Sequence, residues 1–348
     1  MKVELLLKDC DCAIVTSPAS LRYLSGLDIS DAVIVLNAKE RLYLTNPLYE
    51  VAVKGALSKD WTVRILSRAE IATFLSETAR VCDRVGVEFD DMTLSRFRTI
   101  FGTNGRNVRN LSPVLAAMRI HKTSEELAVI KQAEGIVDKT FSEVLPLLIV
   151  GVSEREIANE IYLALLRNGA DGTSFDTIVA FGERAAMPHA VPSGRVLRKG
   201  DCVLMDFGAK YKGYCSDFTR TVVCGDPDER FLRAYALVLE AQRAAIRYLE
   251  KGGRSASEAD AVARKVIDAS EFKGAFNHTL GHGVGVEIHE SPTLAGRSSD
   301  VLSDGMVFTL EPGIYVEGAF GVRIESLVAL ENGKLTVIDR SEKEIFTV

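Results

Sequence analysis

No stretch of this 348-residue chain is apolar for long enough to cross a membrane as a helix. The longest runs, such as Val144–Val152, fall short of the roughly 20 residues required, and that one contains a proline and a glycine. Excess positive charge is also missing. Lys and Arg number 42 against 48 Asp and Glu, for a formal net charge of −6. A general binder of nucleic acid or of a membrane surface needs a basic face, and the bulk charge supplies none. The segment Met1-Lys2-Val3-Glu4 and its sequel have no apolar signal core and no cleavage site, so a cytoplasmic protein is expected. Cysteine is sparse: Cys10, Cys12, Cys82, Cys202, Cys215 and Cys224, with no CxxC pair. Free thiols filling apolar space are expected, rather than a disulfide framework or a zinc site. A serine nucleophile has no GxSxG context. Gly281-His282-Gly283-Val284-Gly285 lacks both the GxGxxG spacing and the βαβ setting of a dinucleotide loop.

What remains is an ordinary globular composition, 47% hydrophobic and 26% charged, with length for about two domains. The first part alternates strand and helix signals. Strands are expected at Cys12–Thr16, Ala32–Asn37, Arg41–Thr45, Thr62–Ser67, Arg84–Glu88 and Asn107–Asn110. Helices are expected at Glu50–Leu57, Ala69–Ala79 and Thr93–Phe101, with a turn at Gly102–Gly105. Pro113–Thr123 reads as a hinge, which divides the chain into domains 1–117 and 118–348. Four helices then follow. Leu127, Ile130, Ala133, Val137, Phe141 and Val144 keep a 3.6-residue period. Ser153 and Glu156 make a capping box for a helix that stops at Asn168-Gly169. Asp226-Pro227 opens a third helix, with proline in its first turn, and Ser255 and Glu258 cap a fourth. Cys202–Phe207 should pair with Tyr214–Val223, and Met306–Leu310 and Val322–Leu330 flank a turn at Gly318. The second domain is therefore α+β, four helices against a curved antiparallel sheet.

The chemistry-bearing residues sit on those strands. Asp206 follows Val203-Leu204-Met205, and a carboxylate so placed costs several kcal/mol unless paired or bound to a cation. An antiparallel hairpin can bring Asp217 beside it. Glu311 and Glu325 each end or interrupt an apolar strand, and Arg323 shares a side with Glu325. Three of the five histidines, His278, His282 and His289, fall within twelve residues, and one of them can join the four acids. Any single acid could be the partner of Arg220 or Arg323, but four strand-borne acids leave too few bases to pair them all. Such a set has too many acids for structural zinc and suits two adjacent divalent ions, which activate water at neutral pH.

These segments carry a resemblance. Arg22-Tyr23-Leu24-Ser25-Gly26, Met118–Glu126, Pro188-His189-Ala190, the Asp206–Thr221 hairpin, Leu280–Glu290, Thr309–Tyr315 and Gly321–Glu325 are similar in order and spacing to the pita-bread metallopeptidases of the Xaa-Pro dipeptidase and Xaa-Pro aminopeptidase group. The resemblance implies a pita-bread catalytic domain behind a creatinase-like N-terminal domain that mediates homodimerisation and closes the site. It implies two divalent ions per chain, Mn or Co first and Zn or Fe as options. Asp206 would bind one, Asp217 and Glu325 would bridge both, and His282 and Glu311 would complete the second. His189, His278 and His289 would hold the scissile carbonyl and the proline, Arg323 would support them, and Glu311 would also shuttle a proton. The substrates implied are peptides with proline in second position. A metal-free creatinase-like enzyme or a non-catalytic peptide binder would have lost ligands, and none is lost here. Ser326 stands where an acid commonly follows Glu325. Prolidases of the group often carry His-Glu-x-Pro-Arg; here His289-Glu290-Ser291-Pro292-Thr293 has threonine in place of that arginine, with Arg297 four residues on. That departure favours an aminopeptidase over a strict dipeptidase.

Overall fold

The computed structural model describes residues 3–103, 105, 107–345 and 347–348. The expected turn at Gly102–Gly105 includes residue 104, which lies outside the described residues. Two compact units are present, Met1–Arg119 and Ile120–Val348.

The first unit is built on six strands: β1 (Cys12–Val15), β2 (Ala32–Asn37), β3 (Arg41–Thr45), β4 (Trp61–Ile65), β5 (Val85–Val87) and β6 (Val108–Asn110). They form one sheet in the order β4-β3-β2-β1-β5-β6, with β2 antiparallel to both neighbours and the other pairs parallel. Both faces are covered. Ala13 and Val15 of β1 enter one core, and Cys12 and Ile14 enter another, as a side-chain period of two requires. The helices are α1 (Val3–Leu6), α2 (Pro18–Ser25), α3 (Glu50–Val53), α4 (Arg68–Val81), α5 (Leu94–Phe101) and α6 (Ser112–Ile120). Two of these correct the expectation. The helix foreseen over residues 50–57 stops at Val53, because Gly55 turns to φ +80. The expected hinge contains α6, whose Pro113 lies in the first turn, where no intrahelical N–H is needed.

The second unit opens with α7 (Ser124–Val144) and α8 (Glu154–Arg167), each started by a capping box, Thr123 with Glu126 and Ser153 with Glu156. Two short strands follow, β7 (Gly172–Thr173) and β8 (Ile178–Phe181). Then come β9 (Cys202–Phe207), β10 (Ala209–Tyr211), β11 (Tyr214–Cys215) and β12 (Phe218–Val223). Lys212 and Gly213, both at positive φ, make the turn of this hairpin. The expected single pairing is split: β9 pairs with β12, and β10 with β11. The strands pass so closely at the split that a Cβ on Gly208 would lie 2.0 Å from the Ser216 carbonyl oxygen.

Helices α9 (Glu229–Glu250) and α10 (Ala256–Asp268) follow. The N-cap of α9 is Asp228, so Pro227 precedes the helix rather than occupying its first turn. Ser255 caps α10 as expected, but the Glu258 carboxylate accepts from Tyr248 instead of closing a capping box. The last strands are β13 (Gly281–Gly283), β14 (Glu290–Leu294), β15 (Val307–Leu310), β16 (Gly313–Val316), β17 (Phe320–Arg323), β18 (Ser326–Glu331) and β19 (Lys334–Val337). They form a sheet β14-β13-β15-β18-β19 and a hairpin β16-β17 that turns at Gly318.

Two helix pairs and three cores organise this unit. Val203, Met205 and Phe207 of β9 pack with α7 and α8, whereas Cys202 and Leu204 pack with α9 and α10. Asp206 falls in the second series. Register places Thr219 of β12 opposite it, and Asp217 shares the parity of Thr219.

Candidate metal centre

Ligand oxygens of Asp206, Asp217 and Glu325 all lie within 4.8 Å of one another, and the three residues are buried. His282 joins them from β13: its Nε2 is 3.4 Å from Asp217 Oδ2 and 3.4 Å from Glu311 Oε1. All five expected ligands therefore converge, from β9, β13, the residue before β12 and the residues that follow β15 and β17.

Neighbouring side chains hold the acids in place. Thr219 donates to Glu325 at 2.7 Å, and Arg323 Nε donates to Thr219 at 3.0 Å. Thr309 donates to Glu311 at 3.1 Å and accepts the His282 backbone N–H at the same distance. Buried Gln242 of α9 donates to the carbonyls of Leu310 and Ile324, each at 3.0 Å, and so fixes the segments that carry Glu311 and Glu325. Gly281 lets β13 approach closely, since a Cβ there would meet the Thr309 carbonyl oxygen at 2.0 Å.

Electrostatics show what the cluster lacks. Burial pushes Asp217 and Glu325 well above the carboxylate range. Glu325 adds to the effect on Asp217, and Glu311 to that on Glu325. Burial pushes Glu311 up to about 7, opposed by Arg323. Burial also lowers His282, so its imidazole is neutral near pH 7. Its Nδ1 is 3.1 Å from the Gly283 carbonyl and must donate there, which leaves the Nε2 lone pair facing two carboxylates. Asp206 Oδ1 and Glu325 Oε1 are buried without a hydrogen-bond partner. Lone pairs aimed at lone pairs need a proton or a metal cation between them. The 3.4 Å from His282 Nε2 to Asp217 and to Glu311 also matches neighbouring ligands on an ion bound at about 2.1 Å. The donor set thus fits divalent metal. Arg323 is the exception that a salt bridge explains, since it pairs with Asp206. Arg220, by contrast, turns to Asp339 and to backbone carbonyls rather than to the acids.

The centre opens into a cavity of about 610 Å³ whose walls include His189, His278, His282, His289 and Arg323. The ring of His289 packs edge-on at 4.3 Å from that of His282, and both His189 and His289 are exposed. His278 differs from them. Its Nδ1 is 2.8 Å from the Thr279 carbonyl and must donate there. Burial, with Arg323, lowers its pKa to about 4. Its neutral Nε2 then accepts from Tyr315 Oη at 2.9 Å, so His278 keeps no N–H for a substrate. Arg323 is similarly committed: it donates to Thr219, Tyr315, Asp206 and the Pro188 carbonyl. Tyr315, Gln242, Thr219 and Thr309 escaped the sequence reading as functional residues. Tyr315, Thr309 and Thr219 lie within segments that carried the resemblance, and Gln242 gave no motif signal.

Carboxylates and neutral imidazoles converging in a cleft define a metal-dependent hydrolase. Residues 128–332 match the family model Metallopeptidase family M24, and residues 3–121 match Creatinase/Prolidase N-terminal domain. The chain belongs to metallopeptidase family M24, and the pita-bread catalytic domain and creatinase-type N-terminal domain expected from the sequence are those of its relatives. The Xaa-Pro dipeptidase of Pyrococcus furiosus is 35% identical over 339 residues, covering 96% of this chain and 95% of that protein. Two solved structures are similar. The Xaa-Pro dipeptidase from Bacillus anthracis has TM-score 0.91 and 34% identity, over 100% of this chain and 99% of that one. The X-Pro aminopeptidase from Thermotoga maritima has TM-score 0.89 and 34% identity, over 97% and 98%. Among the described residues no helix is long and apolar enough to cross a membrane.

Proposed function

We propose that this metallopeptidase removes the N-terminal residue from peptides that carry proline in second position, as an Xaa-Pro aminopeptidase. One observation supports the reading above the others: the His282 lone pair faces Asp217 and Glu311 beside two orphaned carboxylate oxygens. Asp206, Asp217, His282, Glu311 and Glu325 would hold two divalent ions, Mn or Co by the acid-rich donor set. When bound, the ions polarise the scissile carbonyl and lower the pKa of water. Glu311, whose carboxylate lines the catalytic cavity beside the other ligands, would take a proton from the attacking water and give it to the leaving nitrogen. His289, and His189 across the same cavity, would donate to the developing oxyanion. His278 and Tyr315 would act by fixing Arg323, and through it Asp206.

The amide before proline has no N–H, so peptidases that depend on that donor handle it poorly, and a pocket shaped to the ring answers this. The second reading, a strict Xaa-Pro dipeptidase, draws on the names of the relatives. Against it, Thr293 stands where prolidases of the group often carry the arginine that would grip the free C-terminus. A homodimer in the cytoplasm is part of the same reading. The test is chelation followed by single-metal add-back, assayed on Xaa-Pro and Xaa-Pro-Xaa peptides. Loss of activity, its return with Mn or Co, and a higher kcat/KM on the longer peptides are expected. Full turnover in metal-free protein would refute the reading.

A further inference from the structure

A second cavity, about 1230 Å³, lies beside the catalytic one, and His278 and Thr279 wall both. Residues of α10, of the loop that leads to His278 and of the stretch 295–297 line it. Its charge is opposite to that of the chain as a whole. Four cations, Arg264, Lys265, Lys273 and Arg297, line it against two carboxylates, Asp260 and Asp268. Arg264 is consumed: it holds Asp260 through two hydrogen bonds and the carbonyls of Phe276 and His278 through two more. Asp268 accepts the Gly274 N–H. Lys265, Lys273 and Arg297 are exposed and form no ion pair with any described residue. Three uncommitted cations thus border a groove in a protein of net charge −6.

We propose that this groove receives the part of the peptide substrate downstream of proline and favours an acidic residue or a free carboxylate there. The inference rests on the Xaa-Pro reading above and adds to it a subsite and a charge preference. Direction follows from charge. The uncommitted cations of the groove attract a carboxylate and repel the N-terminal ammonium of an exopeptidase substrate. Geometry agrees, because the two cavities share the His278–Thr279 wall and the acids Asp206, Asp217 and Glu311 line only the smaller one. Arg264 has a distinct part: by gripping the His278 carbonyl it positions the shared wall without offering a charge to the substrate. Charges this exposed act weakly and are screened by salt.

The experiment compares kcat/KM for the C-terminally amidated peptides Ala-Pro-Asp, Ala-Pro-Ala and Ala-Pro-Lys in metal-loaded enzyme, with Lys265→Glu/Lys273→Glu and Arg297→Ala beside wild type. Wild type is expected to prefer the aspartyl over the lysyl peptide about fivefold at low salt, with the ratio shrinking as salt rises. The double reversal should abolish or invert that ratio, and Arg297→Ala should reduce it. Each ratio is taken within one protein, so a loss of folded enzyme cancels. Cleavage of all three peptides at equal rates by wild type overturns the groove and leaves the Xaa-Pro reading intact, as does a ratio that survives charge reversal. Failure of wild type to cleave any of them removes both.

Discussion

His289 can separate substrate handling from metal holding. It lines the catalytic cavity, stays exposed and stands ring-to-ring with His282, which alone of the two faces the acids. His289→Ala is therefore expected to keep metal content near wild type while kcat falls by roughly 10²–10³, the scale of losing one oxyanion donor. Metal analysis beside turnover decides it, and loss of metal would make His289 a ligand. Glu134 on α7 raises a different question at the same scale. It is fully buried, and neither carboxylate oxygen has a partner. Burial first, then Asp339, Asp138 and Glu325, push its pKa well above the usual range. The folded state therefore keeps a proton that the unfolded chain releases above its ordinary pKa. Between those two values the folded state binds more protons, so stability falls as pH rises, by at most about 1.4 kcal/mol per pH unit for this one group. Glu134→Gln removes the titration while keeping the shape. Its thermal midpoint should exceed that of wild type at pH 8 and converge with it near pH 4. A constant offset across that range would show that the carboxyl is not the cause.

At the scale of elements, local rules carry far where a signal is local. The capping box at Ser153 and the apolar stripe of α7 stand as read, and the structure adds a second capping box at Thr123. Ser153→Ala, which removes the N-cap acceptor for the Glu156 N–H, should cost about 1 kcal/mol in denaturant unfolding; an effect near zero would mean that the Arg195 carbonyl bond to the Glu154 N–H suffices. What escaped has physical reasons. The signals of α2 were present, a Ser17 cap, Pro18 at its start and Gly26 at φ +76 after its end, yet proline and glycine also punctuate loops. Helix α6 was hidden in the same way behind Pro113. The strands of the acid cluster were legible because buried carboxylates interrupt apolar runs. Gln242 was not, because a glutamine inside an amphipathic helix looks solvent-facing until its three acceptors on other segments are known.

Across the whole molecule, the site and the stability of its surroundings are one problem. Each unit has cores of its own, and every candidate ligand falls between residues 206 and 325 of the second unit. Without a cation, three carboxylates whose pKa values are raised by burial and mutual repulsion sit among β9, β12, β15 and β18. A cation that binds the folded state alone stabilises it by RT ln(1 + [L]/Kd), about 2.7 kcal/mol at 100 times Kd. That gain is drawn from the strands that aim the donors. Amide hydrogen exchange in metal-loaded and chelated protein should therefore differ most in residues 202–223 and 307–326, with opening there faster by about 100-fold in the chelated form. Protection in β1, β2 and β3, which carry none of the ligands, should be the same in both. Equal loss of protection across both units would mean that the ions stabilise the chain as a single cooperative body, and no change in residues 202–223 would mean that these acids do not hold the metal.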